Sequence, residues 1–398
     1  MRHVRPRAAP RDRASPPEER SLIRVAFVSH QSHMRMGGQR SMALLIEHLD
    51  RQVVEPLAIC PGPGELTDHL LALHCPVVHI PLFHIKPRTL IPLWRSSRTI
   101  RRVLLERRVD IIAPDASRDA LTSGLAKLGT RTKMVWFIWQ TAHYSLDPLL
   151  ERLADGMIGD SNDAGRRFSR RARRRGKYAV IHTGSDLRRF TPPAGGDRRA
   201  ARRALELPED RFILLFVGQI KRGKGVLDIV DSLGLLRRDL PNDRMPFLLV
   251  IGSPEPPEIL AEITRRAVAS GVTSDIRVLP QQQHIERWMQ ATDLLMSGSH
   301  QDTEGMSRVL HEAMACGAVP IATNIHGNRE ALTPETGILV PERAPAELAR
   351  AVVELASDPA RLARMRGAAA QRARVLFDVR SYARNVERFY LNVLGRAP

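Results

Sequence analysis

Two glutamates eight positions apart, Glu304 and Glu312, stand in the run Ser-His-Gln-Asp-Thr-Glu-Gly-Met-Ser-Arg-Val-Leu-His-Glu-Ala-Met-Ala-Cys-Gly from Ser299 to Gly317. The pattern predicts Glu304 at a loop-to-helix junction and Glu312 inside the helix. Asp302 or Thr303 can cap the helix start. Gly305 lets a ligand come close to the backbone. The free N–H groups of Gly305 to Arg308, aided by the helix dipole, offer a seat for a diphosphate. At about 1.5 Å rise per residue, Glu312 lies roughly 10 Å along from Glu304. That is about the reach from a sugar, past a diphosphate, to a ribose. A carboxylate accepts two hydrogen bonds, which suits a pair of vicinal hydroxyls. Gly317 is expected to end the helix, two residues before a strand at Val319.

A second group with chemistry in it is the basic turn Val217-Gly-Gln-Ile-Lys-Arg-Gly-Lys-Gly225. It follows an apolar run, so Lys224 is placed at a strand end, where it could neutralise a departing diphosphate. Gly37-Gly38 is expected in a loop after the first strand. No Asp-x-Asp triplet occurs in the chain, so the carboxylate pair that holds a metal on a diphosphate is not legible, and no metal ligand or cofactor is expected.

The elements that must position these residues alternate. Strand-like apolar runs are Ile23–Ser29, Val53–Cys60, Val77–Pro81, Asp110–Ala113, Met134–Trp139 and Gly156–Asp160. Amphipathic segments separate them, including a helix from Ser41 to Leu49. After the turn-rich stretch from Thr191, the alternation restarts with Phe212–Val217, Pro246–Gly252, Ile276–Pro280, Asp293–Ser297, Val319–Thr323 and Gly337–Val340. Such alternation implies parallel sheets covered on both faces. The expected organisation is a disordered basic leader over 1–21, one doubly wound domain over 22–192, a second over 200–377, and a helix over 378–398 that packs back toward the first. Ligands of doubly wound domains sit beyond the carboxyl ends of strands, so the cleft between the two is the expected site.

At 398 residues the chain is long enough for two cores. No apolar run reaches the ~18 residues of a membrane span. Three unpaired cysteines argue for a reducing compartment, hence a cytoplasmic placement. The net charge is +18 and comes mostly from arginine, clustered at Arg88–Arg108 and Arg166–Lys177. Such runs attract polyanions or anionic lipid, although each also reads as a solvated helix face. Aromatics are 5% and do not interleave with the basic runs, which disfavours a nucleic-acid partner.

The run Glu304-Gly-Met-Ser-Arg-Val-Leu-His-Glu312-Ala-Met-Ala-Cys-Gly-Ala-Val-Pro320, continued by Gly327-Asn-Arg-Glu330 and Thr336-Gly-Ile-Leu-Val-Pro341, resembles glycosyltransferase family 4. These are retaining enzymes built from two facing Rossmann-like domains, the GT-B architecture. The resemblance implies that Glu304 faces a donor sugar and acts in catalysis. It implies that Glu312 grips the ribose and that Gly305, Met306 and Ser307 contact sugar and phosphates. Lys224 matches the family lysine on the diphosphate, while the neighbouring family arginine is replaced by Gln219. Ile181-His-Thr-Gly-Ser-Asp-Leu-Arg-Arg-Phe190 resembles the family's hinge segment, with Thr183 in place of asparagine. Gly38 falls where the family covers the donor diphosphate and the acceptor. The family places a histidine of the first domain near the reacting sugar. His143, just beyond Gln140, is the candidate here, with His30 and His33 as the others.

The resemblance therefore implies transfer of a sugar, with retention, from a nucleotide-diphosphate donor to a saccharide or lipid-linked acceptor, in cell-envelope polysaccharide or glycolipid synthesis. The basic runs add a peripheral contact with an anionic membrane. Two alternatives stand beside it: a nucleotide-sugar epimerase of the same architecture, and a non-enzymatic polyanion-binding protein.

Overall fold

Short runs of Val, Ile, Leu and Phe with no polar alternation demand burial on both faces, and the chain supplies it twice. A computed structural model describes residues 22–34, 37–301 and 305–397. The expected basic leader over 1–21 lies outside the described residues, as does Glu304. The first sheet contains β1 (Ile23–Val28), β2 (Val54–Cys60), β3 (Val77–His79), β4 (Ile111–Pro114), β5 (Lys133–Ile138), β6 (Gly156–Gly159) and β7 (Tyr178–Val180) in the order β3-β2-β1-β4-β5-β6-β7. The second contains β8 (Ile213–Val217), β9 (Phe247–Ile251), β10 (Ile276–Leu279), β11 (Leu294–Ser297), β12 (Val319–Thr323) and β13 (Ile338–Val340) in the order β10-β9-β8-β11-β12-β13. Every strand pair is parallel. This is the two-unit, doubly wound α/β arrangement that the alternation predicts.

Each sheet separates two apolar layers. In the second unit, one layer joins Val226, Ile229, Val230 and Leu233 of the helix Val226–Asp239 to the sheet, and the other collects Leu310, Ala313 and Met314 beside Phe377. In the first unit, one layer is closed by the helix Leu90–Glu106 through Leu93, Ile100 and Leu104. The opposite layer holds the helix Gly37–His48 together with Tyr382, Val386, Phe389 and Tyr390 of the last helix, Val379–Leu394. The chain thus crosses between units at two adjacent places. Ser185 donates its N–H to Phe377 O at 2.7 Å, and Val379 donates back to Ser185 O at 3.1 Å.

Three local expectations change. Gly37 and Gly38 do not form a loop but the first turn of the helix Gly37–His48. The reason is packing: a Cβ at Gly38 would sit 3.2 Å from the Trp139 ring, so the helix start lies directly on that indole. The helix that carries Glu312 starts at Arg308, with Ser307 as its first flanking residue, and not near Glu304. Tertiary hydrogen bonds hold the preceding residues out of the helix. A seventh strand, Tyr178–Val180, extends the first sheet; it follows the arginine-rich run and is too short to stand out.

Candidate functional site

In the second sheet, connections leave β8 toward one edge and β11 toward the other, so a crevice opens between their carboxyl ends. Lys224 sits there, at the end of the 3-10 turn Arg222–Lys224 that follows β8. Gly225 comes next, at φ +66°, with its Cα against the carbonyl of Gly298 just past β11. Any side chain at 225 would collide with that backbone, so glycine is what lets the lysine-bearing turn touch the β11 end. His300 reinforces the contact: its N–H donates to Gly223 O at 2.9 Å, and its Nε2 lies 3.1 Å from Asp228.

Gln219 stands where an arginine was expected, and its amide donates to Glu255 Oε2 at 2.8 Å. Arg222 forms an ion pair with Glu262. The basic turn is therefore partly spent on neighbouring acids.

The segment Gly305-Met306-Ser307 is buried and faces the first unit. The Met306 N–H donates to Asp160 Oδ2 at 3.1 Å, and a Cβ at Gly305 would lie 2.8 Å from the same carboxylate. Gly305 O accepts the N–H of Gly327 at 3.0 Å. Beside this contact, Glu330 accepts both the N–H and the side-chain amide of Asn162, each at 2.8 Å, and Arg329 pairs with Asp163 at 3.0 Å. The two units thus meet along Asp160–Asp163 on one side and Gly305–Glu330 on the other.

Glu312 is nearly buried and accepts from Arg308 Nη2 at 2.8 Å. Arg308 keeps two buried donors, Nε and Nη1, without a partner among the described residues. Arg40, in the helix Gly37–His48, lies within electrostatic reach of both. Burial, then the Arg308 charge, pulls its pKa down, while Glu312 pulls it up. Arg308 of the second unit thus holds Glu312 directly with hydrogen-bond capacity to spare, while the exposed Arg40 of the first unit, its Nε donated to Met34 O at 2.7 Å, acts on Glu312 through its charge. Arg308 was readable as an i,i+4 partner of Glu312; nothing in the spacing points to Arg40 or Asp160, except that Asp160 ends a strand.

The histidine candidates separate. His143 and His33 are exposed, with no hydrogen bond among those described for either ring. Next to His143, Tyr144 donates its hydroxyl to Gln140 Oε1 at 2.8 Å, and Arg167 lies over the Tyr144 ring. His30 is mostly buried, with Nδ1 2.7 Å from Asp119 Oδ2. No helix among the described residues is long and apolar enough to cross a membrane.

Comparison with known proteins agrees with this geometry. Residues 36–189 match the model described as Glycosyltransferase Family 4, and residues 211–358 match Glycosyl transferases group 1. The chain is 34% identical over 174 residues to a D-inositol 3-phosphate glycosyltransferase of Jonesia denitrificans, covering 42% of this chain and 41% of that one. It is 33% identical over 230 residues to the protein of the same name from Streptomyces avermitilis, covering 55% and 48%. The match thus spans about half the length of these curated relatives. A glycosyltransferase structure from Rickettsia africae superposes with a TM-score of 0.81 at 17% identity, covering 95% of this chain and all of that one. Anabaena HepE in complex with UDP gives 0.79 at 19%, covering 93% and all of that chain. These structures share the GT-B fold of two Rossmann-like units.

Proposed function

Because the chain belongs to the group 1, family 4-like glycosyltransferases, we propose that it moves a sugar from a nucleotide-diphosphate donor to an acceptor hydroxyl, with retention of anomeric configuration. The observation that carries this reading is the joining of Lys224 to the β11 end through the Gly225–Gly298 contact. The same β11 end leads directly into the segment that bears Gly305, Met306, Ser307 and Glu312. In this reading Glu304 faces the donor sugar, Glu312 grips the ribose hydroxyls, and Lys224 with the Gly305–Ser307 backbone and Gly38 attends the diphosphate. Gln219 carries no charge, and Arg308, with its two unpartnered donors, is suited to make up the deficit.

The chemistry asked of the protein is then positioning and charge stabilisation. The leaving diphosphate takes the acceptor proton on the face from which it departs, so no protein nucleophile is required. The relatives named for D-inositol 3-phosphate support a polyol or saccharide hydroxyl as acceptor. A peripheral contact with an anionic membrane is supported by the helix Leu90–Glu106. It exposes Leu90, Ile91 and Trp94 beside Arg88, Arg95, Arg98 and Arg102. That pattern fits a lipid-linked acceptor.

The test is a thermal-shift screen against uridine-, guanosine- and adenosine-diphosphate sugars, followed by product analysis with and without candidate acceptors. Ligand binding to the native state raises the melting temperature by mass action. A rise with one nucleotide-sugar, and its consumption only when an acceptor is present, are the expected results. Conversion of the donor alone favours an epimerase. Indifference to every nucleotide-sugar, joined to steep salt-dependent binding of polyanions, ends the reading.

A further inference from the structure

The first sheet has a switch point of its own. From β1 the chain moves to β2 on one side, and from β4 to β5 on the other, although β1 and β4 are neighbours. Four polar side chains from four places in the sequence meet at that crevice. His30 follows β1, Gln39 lies in the first turns of the helix Gly37–His48, Asp115 follows β4, and Asp119 lies in the first turn of the helix Ser117–Lys127. His30 Nδ1 is 2.7 Å from Asp119 Oδ2 and 3.8 Å from Asp115 Oδ1. Gln39 Nε2 is 3.1 Å from Asp115 Oδ2. Asp119 is fully buried, Asp115 6% exposed and Gln39 3% exposed.

Three oxygens in this cluster are buried and accept from no donor group among the described residues: Asp115 Oδ1, Asp119 Oδ1 and, on a separate helix, Gln39 Oε1. Among the described residues, neither carboxylate has a Lys or Arg ion pair. Arg118, whose charge favours the ionised form of Asp119, makes its side-chain contact to His84, with Nη1 2.9 Å from the ring Nε2. Two acids have thus been brought together out of water, helped by His30, by its backbone N–H at 3.2 Å from Asp119 Oδ2 and by the Gln39 amide, and such an arrangement is costly unless a proton shared between the carboxyls or a metal completes it.

We propose that His30, Asp115 and Asp119 hold a divalent transition-metal cation, with Gln39 Oε1 as a fourth ligand. One ligand atom from each of the three lies within 4.8 Å of the others. Metal–ligand bonds of about 2.0–2.2 Å put neighbouring ligand atoms roughly 3–3.5 Å apart, so small inward movements suffice. Turning the Gln39 amide about its last bond puts Oε1 where Nε2 now sits. The two carboxylates balance a +2 charge. One imidazole with carboxylate and amide oxygens suits Zn²⁺ or Mn²⁺ better than Ca²⁺, which takes six to eight oxygens. His30 is the least buried of the four, so a remaining coordination position faces the crevice, where it could take an oxygen of a polyhydroxy or anionic ligand. The site lies in the other unit from Lys224, and the inference stands whether or not the chain transfers a sugar.

The test uses the untagged full chain, stripped with EDTA and titrated calorimetrically with Zn²⁺ alone and with Mn²⁺ alone. One equivalent per folded chain is expected for at least one of the two. Asp119→Asn and His30→Gln should each weaken binding tenfold or more. His30 is partly exposed, so His30→Gln keeps the test open if Asp119→Asn fails to fold, and circular dichroism checks both. No stoichiometric uptake of either metal by folded wild-type protein overturns the proposal. So does uptake that His30→Gln leaves unchanged, which would mean binding at other histidines.

Discussion

Met306 donates its backbone N–H to Asp160 Oδ2 at 3.1 Å, so a carboxylate of the first unit occupies a donor of the segment proposed to attend the diphosphate. An anionic ligand at that donor would meet both competition and repulsion. Asp160→Ala frees the N–H and removes the charge, so affinity for UDP, or for whichever nucleoside diphosphate the screen selects, should rise roughly tenfold, about 1.4 kcal/mol. Calorimetric titration measures it. Unchanged or weaker affinity would mean that Asp160 holds the segment in its binding shape and does not compete.

Glu312 and Arg308 share a nearly buried ion pair. Removing one partner strands the other, which costs more than the pair contributes. Because Arg308 keeps 19% of its side-chain surface, Glu312→Ala should destabilise the fold by about 2 kcal/mol, below the range for fully buried pairs. The double variant Arg308→Met with Glu312→Leu should recover most of that loss. Urea denaturation reads both, and additive losses in the double variant would contradict the coupling.

Protonation of His311 offers a pH signature. The ring is fully buried, stacked on Phe377 at 4.7 Å between centroids, with Nδ1 2.6 Å from Ser185 Oγ and Nε2 without a partner. Burial, with the Arg308 charge adding to it, holds its pKa well below the ordinary 6.5. The unfolded chain takes up a proton near pH 6.5, whereas the folded one does so only at much lower pH. The stability due to neutral His311 is therefore full above about pH 6.5 and declines as pH falls below it. Between pH 7.5 and 5.5 the loss should be about 1.4 kcal/mol. His311→Gln should flatten that part of the profile. An identical profile in wild type and variant would show that other groups set it.

The apolar face of the helix Leu90–Glu106 should matter only on a charged surface. Leu90, Ile91 and Trp94 are 56%, 67% and 54% exposed, and the Arg98 guanidinium lies over the Trp94 ring at 4.8 Å. Co-sedimentation with vesicles containing anionic lipid should fall about tenfold or more when all three are changed to Ser. It should also fall with added salt. Equal binding to zwitterionic vesicles would rule out the electrostatic part of the idea.

The strands were readable because both sheets are parallel and buried on two faces, so that runs such as Phe212–Val217 stand out as uninterrupted apolar segments. The helix Val379–Leu394 could be read from its periodic apolar positions. The start of the helix Arg308–Ala315 could not. Its register depends on Met306 bonding to Asp160, 146 positions earlier, and on Gly305 bonding to Gly327. The meeting of His30, Gln39, Asp115 and Asp119 was invisible for the same reason: it depends on β1 and β4 being neighbours in the sheet. Gln219, read as a departure from the family pattern, takes its meaning from Glu255 on another loop.

The last helix has a consequence for how the protein is made. Tyr382, Val386, Phe389 and Tyr390 complete one face of a sheet whose own strands end at Val180. A ribosome adding about 5–20 residues per second needs roughly 10–40 s to travel from one to the other. During that interval the first sheet has been synthesised, but this face is covered only in part, by the helix Gly37–His48 and its neighbours. The second unit, from β8 to β13, can close its own layers meanwhile. Its folding would bring Phe377 beside Ser185 and so deliver the final helix to the waiting face. The half of the chain that is synthesised first would be the half that finishes folding last, and its half-covered interval is where a chaperone would have the most to hold.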